Sequence, residues 1–370
     1  MFAKEHNEIT ISEMKAKGMS SLDEIQKNYW EKRHFPFTVG IELTSMCNLR
    51  CIHCYLSESL SKRPVLNTEQ IIKIIDKLHD FGVLVLYFTG GEIFTRPDFK
   101  EIYIHAKKKG FLVELLTNST LMTDEILETL DKYPPAIVSI SLYGASPETY
   151  KKVTGNKNAY HLALNSIKRL TEKNIDIEIK FIGLKENIQD YDAIKKLTEE
   201  LNVSFKMNLE IFPTLQGNTN VISKGLSPKE IVEFEKIHIE MAKKWYNNIR
   251  YDNPYFQLHE NEYPQFSCNV ASTLCFIDNE GYVNPCHKMR LKEFNILSND
   301  LEYIWKNFQK YRKMKAPKSY KCAKCKYIHF CSPCPVVNYL ENKDYAIPAT
   351  FPCKLTGLRE KEFSNSIYSE

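Results

Sequence analysis

The chain has 370 residues, of which 43% are apolar and 12% aromatic, so it can bury a large core and has room for more than one domain. Its formal net charge of +4 is too small to indicate a nucleic-acid partner. No apolar run reaches 18 residues and the N-terminus lacks the apolar core of a signal peptide, so we expect a cytoplasmic protein that does not span a membrane.

The first two thirds of the chain are dominated by alternating strand and helix patterns. Residues 1–35 predict a short N-terminal helical segment, too small for a separate peptide-recognition domain. Between residues 36 and 212, short β-type runs alternate with amphipathic stretches that begin at polar caps such as Asn67, Thr123 and Ser146. The predicted strands are 37–43, 83–88, 111–117, 137–142, 175–182 and 203–211. The predicted helices are 67–81, 98–110, 123–132, 147–173 with an interruption near 155, and 188–201.

This alternation determines the predicted fold. Strand, helix and strand repeated about six times predicts a parallel sheet covered by helices. Six units are two short of a closed eight-stranded barrel, so we expect an α/β fold, a partial (β/α)6 TIM-like barrel, with ligands at the carboxyl ends of its strands. A connector over residues 213–265 follows, with an amphipathic helix near 227–247, and residues 266–370 have the turns, prolines and cysteines of a small cysteine-rich domain.

The eleven cysteines are unevenly distributed, with three in one loop and eight after residue 267. Without an export signal, this number argues against a disulfide framework and favours metal or cluster ligation. The loop after the first predicted strand reads Cys47-Asn-Leu-Arg-Cys51-Ile-His-Cys54. Three thiols leave one iron of a four-iron cluster without a protein ligand, and that iron can bind a small chelating molecule. A zinc loop is the alternative, but His53 would reach the same metal only under strain.

A second motif, Thr89-Gly90-Gly91-Glu92, follows the second predicted strand. Two glycines permit a close backbone approach to a ligand, and the carboxylate can accept hydrogen bonds from an ammonium group. Alone, such a glycine pair is more often a turn.

Together, the Cys-x3-Cys-x2-Cys loop and the Gly-Gly-Glu motif one βα unit later resemble the signatures of the radical S-adenosylmethionine (SAM) enzymes. The resemblance implies that Cys47, Cys51 and Cys54 hold a [4Fe-4S] cluster whose open iron chelates SAM, and that Gly90, Gly91 and Glu92 lie at its methionine amine. It further implies contacts from Asn118 and Ser141 to the ribose or carboxylate of SAM, although either residue can equally be a cap or turn residue. Tyr143 stands where many members of the family have Asp.

The C-terminal cysteines resemble the SPASM extension of this family, which holds two auxiliary four-iron clusters. The resemblance assigns to the nearer cluster Cys268, Cys275, Cys286 and Cys334. It assigns to the farther cluster Cys322, Cys325, Cys331 and Cys353. Two residues separate Cys331 from Cys334 where the family pattern usually has three, which could exchange ligands locally. Cys275 could instead be a buried thiol, leaving an open iron. A zinc ribbon is the alternative for the paired Cys-x2-Cys units.

One stretch is strongly basic, with nine Lys or Arg and no acidic residue between Lys306 and Lys326. Such a run is usually a solvated face. It could also favour the reduced form of a nearby cluster, or dock an acidic flavodoxin-like electron donor or an acidic peptide.

The resemblance implies that SAM is cleaved reductively to a 5′-deoxyadenosyl radical that abstracts hydrogen from a substrate. Related SPASM enzymes most often modify peptides, so we expect maturation of a ribosomally made precursor peptide, with a flavodoxin or ferredoxin as reductant and a separate leader-binding protein as a further partner. Three alternatives stay open: a sulfatase-maturing, formylglycine-forming enzyme, a radical SAM enzyme acting on a small molecule or tetrapyrrole-like precursor, and a non-catalytic iron-sulfur or zinc protein. The sequence nominates no general base, because Asp278, Glu280, Tyr143 and Tyr282 are each better explained as turn or hairpin residues.

Overall fold

The computed structural model describes residues 36–60, 65–240, 242–243, 264–266, 268, 270–327 and 330–367. The predicted helical segment 1–35 and part of the connector lie outside these residues. The strands are β1 Thr38–Thr44, β2 Val85–Gly90, β3 Leu112–Thr117, β4 Ile137–Ser141, β5 Ile177–Ile182, β6 Ser204–Asn208, β7 Leu274–Ile277 and β8 Val283–Asn284. They form one open sheet in the order β6-β5-β4-β3-β2-β1-β7-β8, parallel except for the β7–β8 pair. The prediction of an α/β partial barrel is confirmed.

Helices cover one side of this sheet and extend beyond it. Those of the βα units are α1 Thr68–Phe81, α2 Phe99–Lys108, α3 Asp124–Lys132, α4 Pro147–Thr154, α5 Ala159–Glu172 and α6 Tyr191–Glu200. Later in the chain come α7 Pro228–Ile237, α8 Leu301–Arg312, α9 Pro335–Asn342 and α10 Thr350–Ile367. The expected caps are present: Asn67, Thr123 and Ser146 each accept a backbone N–H of the first turn. Gly155, with φ +77°, ends α4 where the interruption was predicted.

The sheet separates an apolar layer from a polar one. Val39 and Ile41 of β1 are fully buried and belong to the same hydrophobic cluster as Ile74 of α1. Because side chains alternate along a strand, Glu42 of β1 lies on the other face, the interior of the partial barrel. Glu42 is also buried, so the interior of the partial barrel contains a charged side chain.

The hairpin of β7 and β8 extends the barrel sheet, which the sequence did not predict. In the sequence this segment belongs to the predicted cysteine-rich domain 266–370, and Asp278, Glu280 and Tyr282 are explained as turn or hairpin residues. In the structure β7 runs parallel to β1, with Thr38 opposite Leu274 and Ile41 opposite Ile277. The pairing covers the free edge that β1 would otherwise expose.

A buried ion network fastens the last helix to the connector. Arg359 of α10 is 4% exposed, and its Nε donates to both carboxylate oxygens of Glu235 on α7 at 3.0 and 3.2 Å. Its Nη1 donates to Glu210 Oε1 at 3.1 Å. No helix in the described parts of the chain is both long and apolar enough to cross a bilayer.

We expect Arg359→Met to lower the free energy of unfolding by about 3–5 kcal/mol, because it leaves the Glu235 carboxylate buried without its cation. The matched control is Lys236→Met, which removes an exposed ion pair with Glu362 at 2.9 Å and should cost less than about 1 kcal/mol. Urea unfolding of both variants measures the difference, and equal effects would contradict a buried network.

Candidate active site

The cysteine loop is positioned by the glycine pair of the neighbouring strand. Gly91 N–H donates to Thr44 O at 2.8 Å, and Glu92 N–H donates to Met46 O at 2.7 Å. A Cβ on Gly91 would lie 2.0 Å from Met46 O, and a Cβ on Gly90, whose φ is +138°, would lie 2.0 Å from Thr44 O. Only glycine at both positions lets the end of β2 approach the backbone that leads into Cys47.

The other side of the loop is held by the end of α4. Arg50 N–H donates to Thr154 O and Ile52 N–H to Val153 O, both at 3.0 Å. The guanidinium of Arg50 donates to Cys47 O at 2.7 Å, which closes the loop on itself. These backbone contacts fix the direction in which the loop presents its side chains.

All three thiols of the loop border one cavity of about 220 Å³ at the carboxyl ends of the strands. The main chain of the glycine pair and several strand-end side chains complete its walls: Gly90, Gly91, Asn118, Ser139, Ser141, Tyr143 and Lys180. The structure therefore brings together the cysteines, the two glycines and both strand-end polar residues that the sequence singled out.

Burial raises the pKa of the Cys47 thiol to about 11 and also raises the pKa values of Cys51 and Cys54. Burial therefore disfavours thiolates here, and the positive charge of a bound iron-sulfur cluster would stabilise them. Among the described side chains, no three Cys, His, Asp or Glu are close enough together to bind one single metal ion. The three sulfur donors on a shared cavity fit one face of a larger cluster.

His53 faces the same cavity. Its ring packs against Tyr143 with centroids 5.3 Å apart, and within the part of the chain that the structure describes its buried Nδ1 has no hydrogen-bond partner. Burial lowers the pKa of His53 to about 4, so the ring is neutral at pH 7. A neutral aromatic ring suits a wall that excludes water.

Glu92 lies behind the wall of the cavity. Its carboxylate is fully buried and does not line the cavity. It accepts hydrogen bonds from Thr117 Oγ1 and Asn118 N, each at 2.6 Å, and from Phe94 N at 3.2 Å. Burial raises its pKa to about 7. In this structure Glu92 fastens the end of β2 to the end of β3, behind the wall that the glycines form.

Asn118 connects β3 to the cysteine loop. Its Nδ2 donates to Asn48 Oδ1 at 3.0 Å and lies 3.9 Å from Cys47 Sγ, while its Oδ1 accepts from Thr120. The amide therefore reaches the sulfur of the first loop cysteine as well as the cavity.

Sequence reasoning missed Lys180, whose side chain lies in the cavity wall beside Ser141 of the neighbouring strand. Its ammonium is 3.5 Å from Glu178, which also pairs with Lys206 at 2.7 Å. The signal was present in the alternation of β5, where Glu178, Lys180 and Ile182 share the interior face.

The cysteines of the nearer auxiliary set are only partly brought together. Burial, with a contribution from the nearby thiols of Cys334 and Cys268, raises the pKa of Cys286 to about 12. Cys275 lies in the sheet opposite Val39 and is fully buried. No neighbouring thiol contributes to its pKa, which burial alone raises to about 12.

The farther set surrounds a second cavity of about 310 Å³. Cys322, Cys331 and Cys353 line it, as does Cys334, which therefore borders both sets. Cys325 lies one turn from Cys322, with its N–H donating to Cys322 O at 3.2 Å. Cys331 and Cys334 thus both line the farther cavity, and Cys334 also lies near Cys286.

Aromatic contacts bridge the active-site loop and the nearer set. Tyr55 directly follows Cys54, and its ring lies 6.4 Å from the ring of His287, which directly follows Cys286. Across the opening of the barrel, Lys288 Nζ lies 3.4 Å from the ring centroid of Phe212, beyond the end of β6. The nearer cysteines therefore lie at the open side of the barrel, next to the active-site cavity.

We expect Gly91→Ala to displace the cysteine loop and to lower the free energy of unfolding by about 3 kcal/mol, because the added methyl collides with backbone. Alkylation of Cys47, mapped by mass spectrometry, should become faster. Gly357→Ala is the control, since its Cβ would meet no heavy atom within 4 Å. Unchanged stability and Cys47 reactivity in Gly91→Ala would show that the glycine contact does not position the loop.

Two family models match the chain: the radical SAM superfamily over residues 41–198 and the SPASM iron-sulfur cluster-binding domain over residues 268–335. The AdoMet-dependent heme synthase of Methanosarcina barkeri (strain Fusaro / DSM 804) is 28% identical over 332 residues, which cover 84% of this chain and 94% of that protein. The antilisterial bacteriocin subtilosin biosynthesis protein AlbA of Bacillus subtilis (strain 168) is 29% identical over 319 residues, 83% of this chain and 69% of that protein.

Solved structures share the fold. Streptococcus suis SuiB bound to its precursor peptide SuiA superposes with a TM-score of 0.68 at 17% identity, covering 92% of this chain and 80% of SuiB. The enzyme anSMEcpe with bound AdoMet and the Cp18Cys peptide gives 0.69 at 16% identity, covering 90% of this chain and 98% of that one. With both domains matched and peptide maturases among its homologues, the chain belongs to the radical SAM superfamily and carries a SPASM iron-sulfur domain.

Proposed function

We propose that this chain is a radical SAM/SPASM oxidoreductase that modifies a ribosomally synthesised precursor peptide, forming a crosslink such as a thioether or carbon-carbon bond. The observation that carries the proposal is the shared cavity of Cys47, Cys51 and Cys54, with the glycine pair in its wall and the SPASM cysteines beside it. Homologues named for subtilosin biosynthesis, for maturation of sporulation killing factor and as a mycofactocin maturase support the peptide substrate.

The residues present fit the groups that the family implies. Cys47, Cys51 and Cys54 would hold the SAM-binding [4Fe-4S] cluster, and the main chain at Gly90 and Gly91 would meet the amine of SAM. When bound, these groups supply a one-electron cleavage of SAM to methionine and a 5′-deoxyadenosyl radical that abstracts hydrogen from the substrate. Asn118 and Ser141 would orient SAM from the strand ends, where both line the cavity.

We assign two further [4Fe-4S] clusters to the SPASM cysteines. Cys322, Cys325, Cys331 and Cys353 would hold the farther one. For the nearer one, the proximity of Cys268, Cys286 and Cys334 favours three thiol ligands, and the separate burial of Cys275 favours a structural thiol with one iron left open. An open iron at the mouth of the barrel would be accessible to the substrate.

The protein's own part in the chemistry is to orient the substrate and exclude water. Tyr143 and His53 close the apolar side of the cavity, and Lys180 offers a cation at its polar side. A further cavity of about 290 Å³ adjoins the first at Leu56 and is lined by Glu42, Asp278 and Arg290 among others. The two cavities together give an extended peptide a path along the open side of the barrel.

A second candidate is a small-molecule reaction on a tetrapyrrole-like precursor. The heme synthase relatives support it, since this chain covers nearly the whole length of the one from M. barkeri. Lys180 in the cavity wall, with the more exposed Lys206 opposite it in the sheet, would suit the carboxylates of such a substrate. Formylglycine formation has weaker support, because the likeness to anSMEcpe is one of fold.

The test is anaerobic incubation of the reconstituted protein with SAM and dithionite, with either a short precursor peptide encoded beside its gene or iron coproporphyrin III. We expect 5′-deoxyadenosine from the wild type, loss of at least a hundredfold in Cys54→Ala, and a peptide product lighter by two hydrogens per crosslink. Turnover of the tetrapyrrole with an unmodified peptide would select the second candidate. No 5′-deoxyadenosine from the wild type would contradict both.

A further inference from the structure

The basic stretch noted in the sequence forms an exposed lysine surface in the structure. All eight of its lysines are exposed: Lys306, Lys310, Lys313, Lys315, Lys318, Lys321, Lys324 and Lys326. The sequence has no acidic residue between Glu302 and Glu341, so the stretch contains no negative charge of its own. We call Lys318, Lys321, Lys324 and Lys326 the lysine surface.

This surface surrounds the place where the farther cysteine set reaches the exterior. Lys321 and Lys324 lie in the same short helical turn as Cys322, and Lys326 directly follows Cys325. The ammonium of Lys321 acts electrostatically on Cys353, whose side chain is exposed. The lysines are thus adjacent to three of the four sulfurs that we assign to the farther cluster.

The surface is only partly neutralised by its neighbours, since Glu360 acts electrostatically on Lys326. At the start of the stretch Lys306 pairs with Glu302 at 2.8 Å and Lys310 with Glu293 at 2.9 Å. Among the described residues, by contrast, no carboxylate lies within 4 Å of the ammonium groups of Lys318, Lys321 or Lys324. A concentration of unpaired cations at one place attracts an acidic protein and accelerates its association.

We propose that the lysine surface docks an acidic one-electron carrier, a flavodoxin, for electron exchange with the cluster of Cys322, Cys325, Cys331 and Cys353. The inference rests on the proposed function, because it needs that cluster. One electron leaves the flavin hydroquinone, which becomes the semiquinone and releases a proton to solvent if it is protonated. A [4Fe-4S] cluster held by those four cysteines would accept that electron, passing from the 2+ to the 1+ state, and no covalent bond would form at the protein. When the flavodoxin is in an oxidised state, electron transfer at the same contact would go from the cluster to the flavodoxin.

The test measures association of the reconstituted protein with the hydroquinone of an acidic bacterial flavodoxin, by anaerobic stopped-flow at low and at 0.5 M added salt. We expect Lys318→Gln/Lys321→Gln/Lys324→Gln to lower the low-salt association rate at least tenfold and to flatten its salt dependence. The matched control is Lys107→Gln/Lys108→Gln, two lysines at the end of α2 that should leave the rate unchanged. Equal rates in the two variants would overturn the proposal.

A second measurement separates this inference from the proposed function. With dithionite as reductant the docking step is bypassed, so the triple variant should form 5′-deoxyadenosine at the wild-type rate. If the wild type forms none, the proposed function fails whatever the flavodoxin result. If the triple variant loses affinity for a poly-glutamate peptide but keeps the wild-type flavodoxin rate, the surface binds an acidic peptide and the carrier proposal is wrong.

Discussion

The active site depends on the contact between the glycine pair at the end of β2 and the backbone of residues 44–46. Two hydrogen bonds, from Gly91 to Thr44 and from Glu92 to Met46, hold the entrance of the cysteine loop against the sheet. Because no Cβ intervenes, the same glycines also present bare main chain to the cavity. Glu92 connects this unit to β3 by hydrogen bonds, so the cysteine loop is held against the ends of β1, β2 and β3.

The second domain is joined to this unit by the sheet itself. Pairing of β7 with β1 places the hairpin, and therefore Cys286, at the open side of the barrel. The contact between Tyr55 and His287 connects the active-site loop to that position. Cys334 lies near Cys286 and also lines the cavity of the farther set, next to the exposed lysines. In our account this order gives an electron a path from the substrate cavity to the surface.

Local patterns in the sequence were sufficient for the βα repeat, the helix caps and the Cys47 to Cys54 loop, because each depends on residues close together in the chain. The β1–β7 pair joins residues more than 200 positions apart, and a buried parallel strand of four residues has no period of its own. For Cys275, the register of β7 beside β1 buries the thiol opposite Val39 and so favours a core thiol over a cluster ligand. The role of Glu92 at the amine of SAM stays a prediction, because a carboxylate after a Gly-Gly turn can face either the ligand or the protein.

The most direct test of the account is the iron and sulfide content, with Mössbauer spectra, of the anaerobically reconstituted protein and two variants. We predict about twelve irons in the wild type, about eight in the Cys47, Cys51 and Cys54 to Ala triple variant, and an undiminished twelve in Cys275→Ala. About four irons with bound zinc in the wild type would contradict the two auxiliary clusters. Loss of about four irons in Cys275→Ala would contradict the assignment of that thiol to the core.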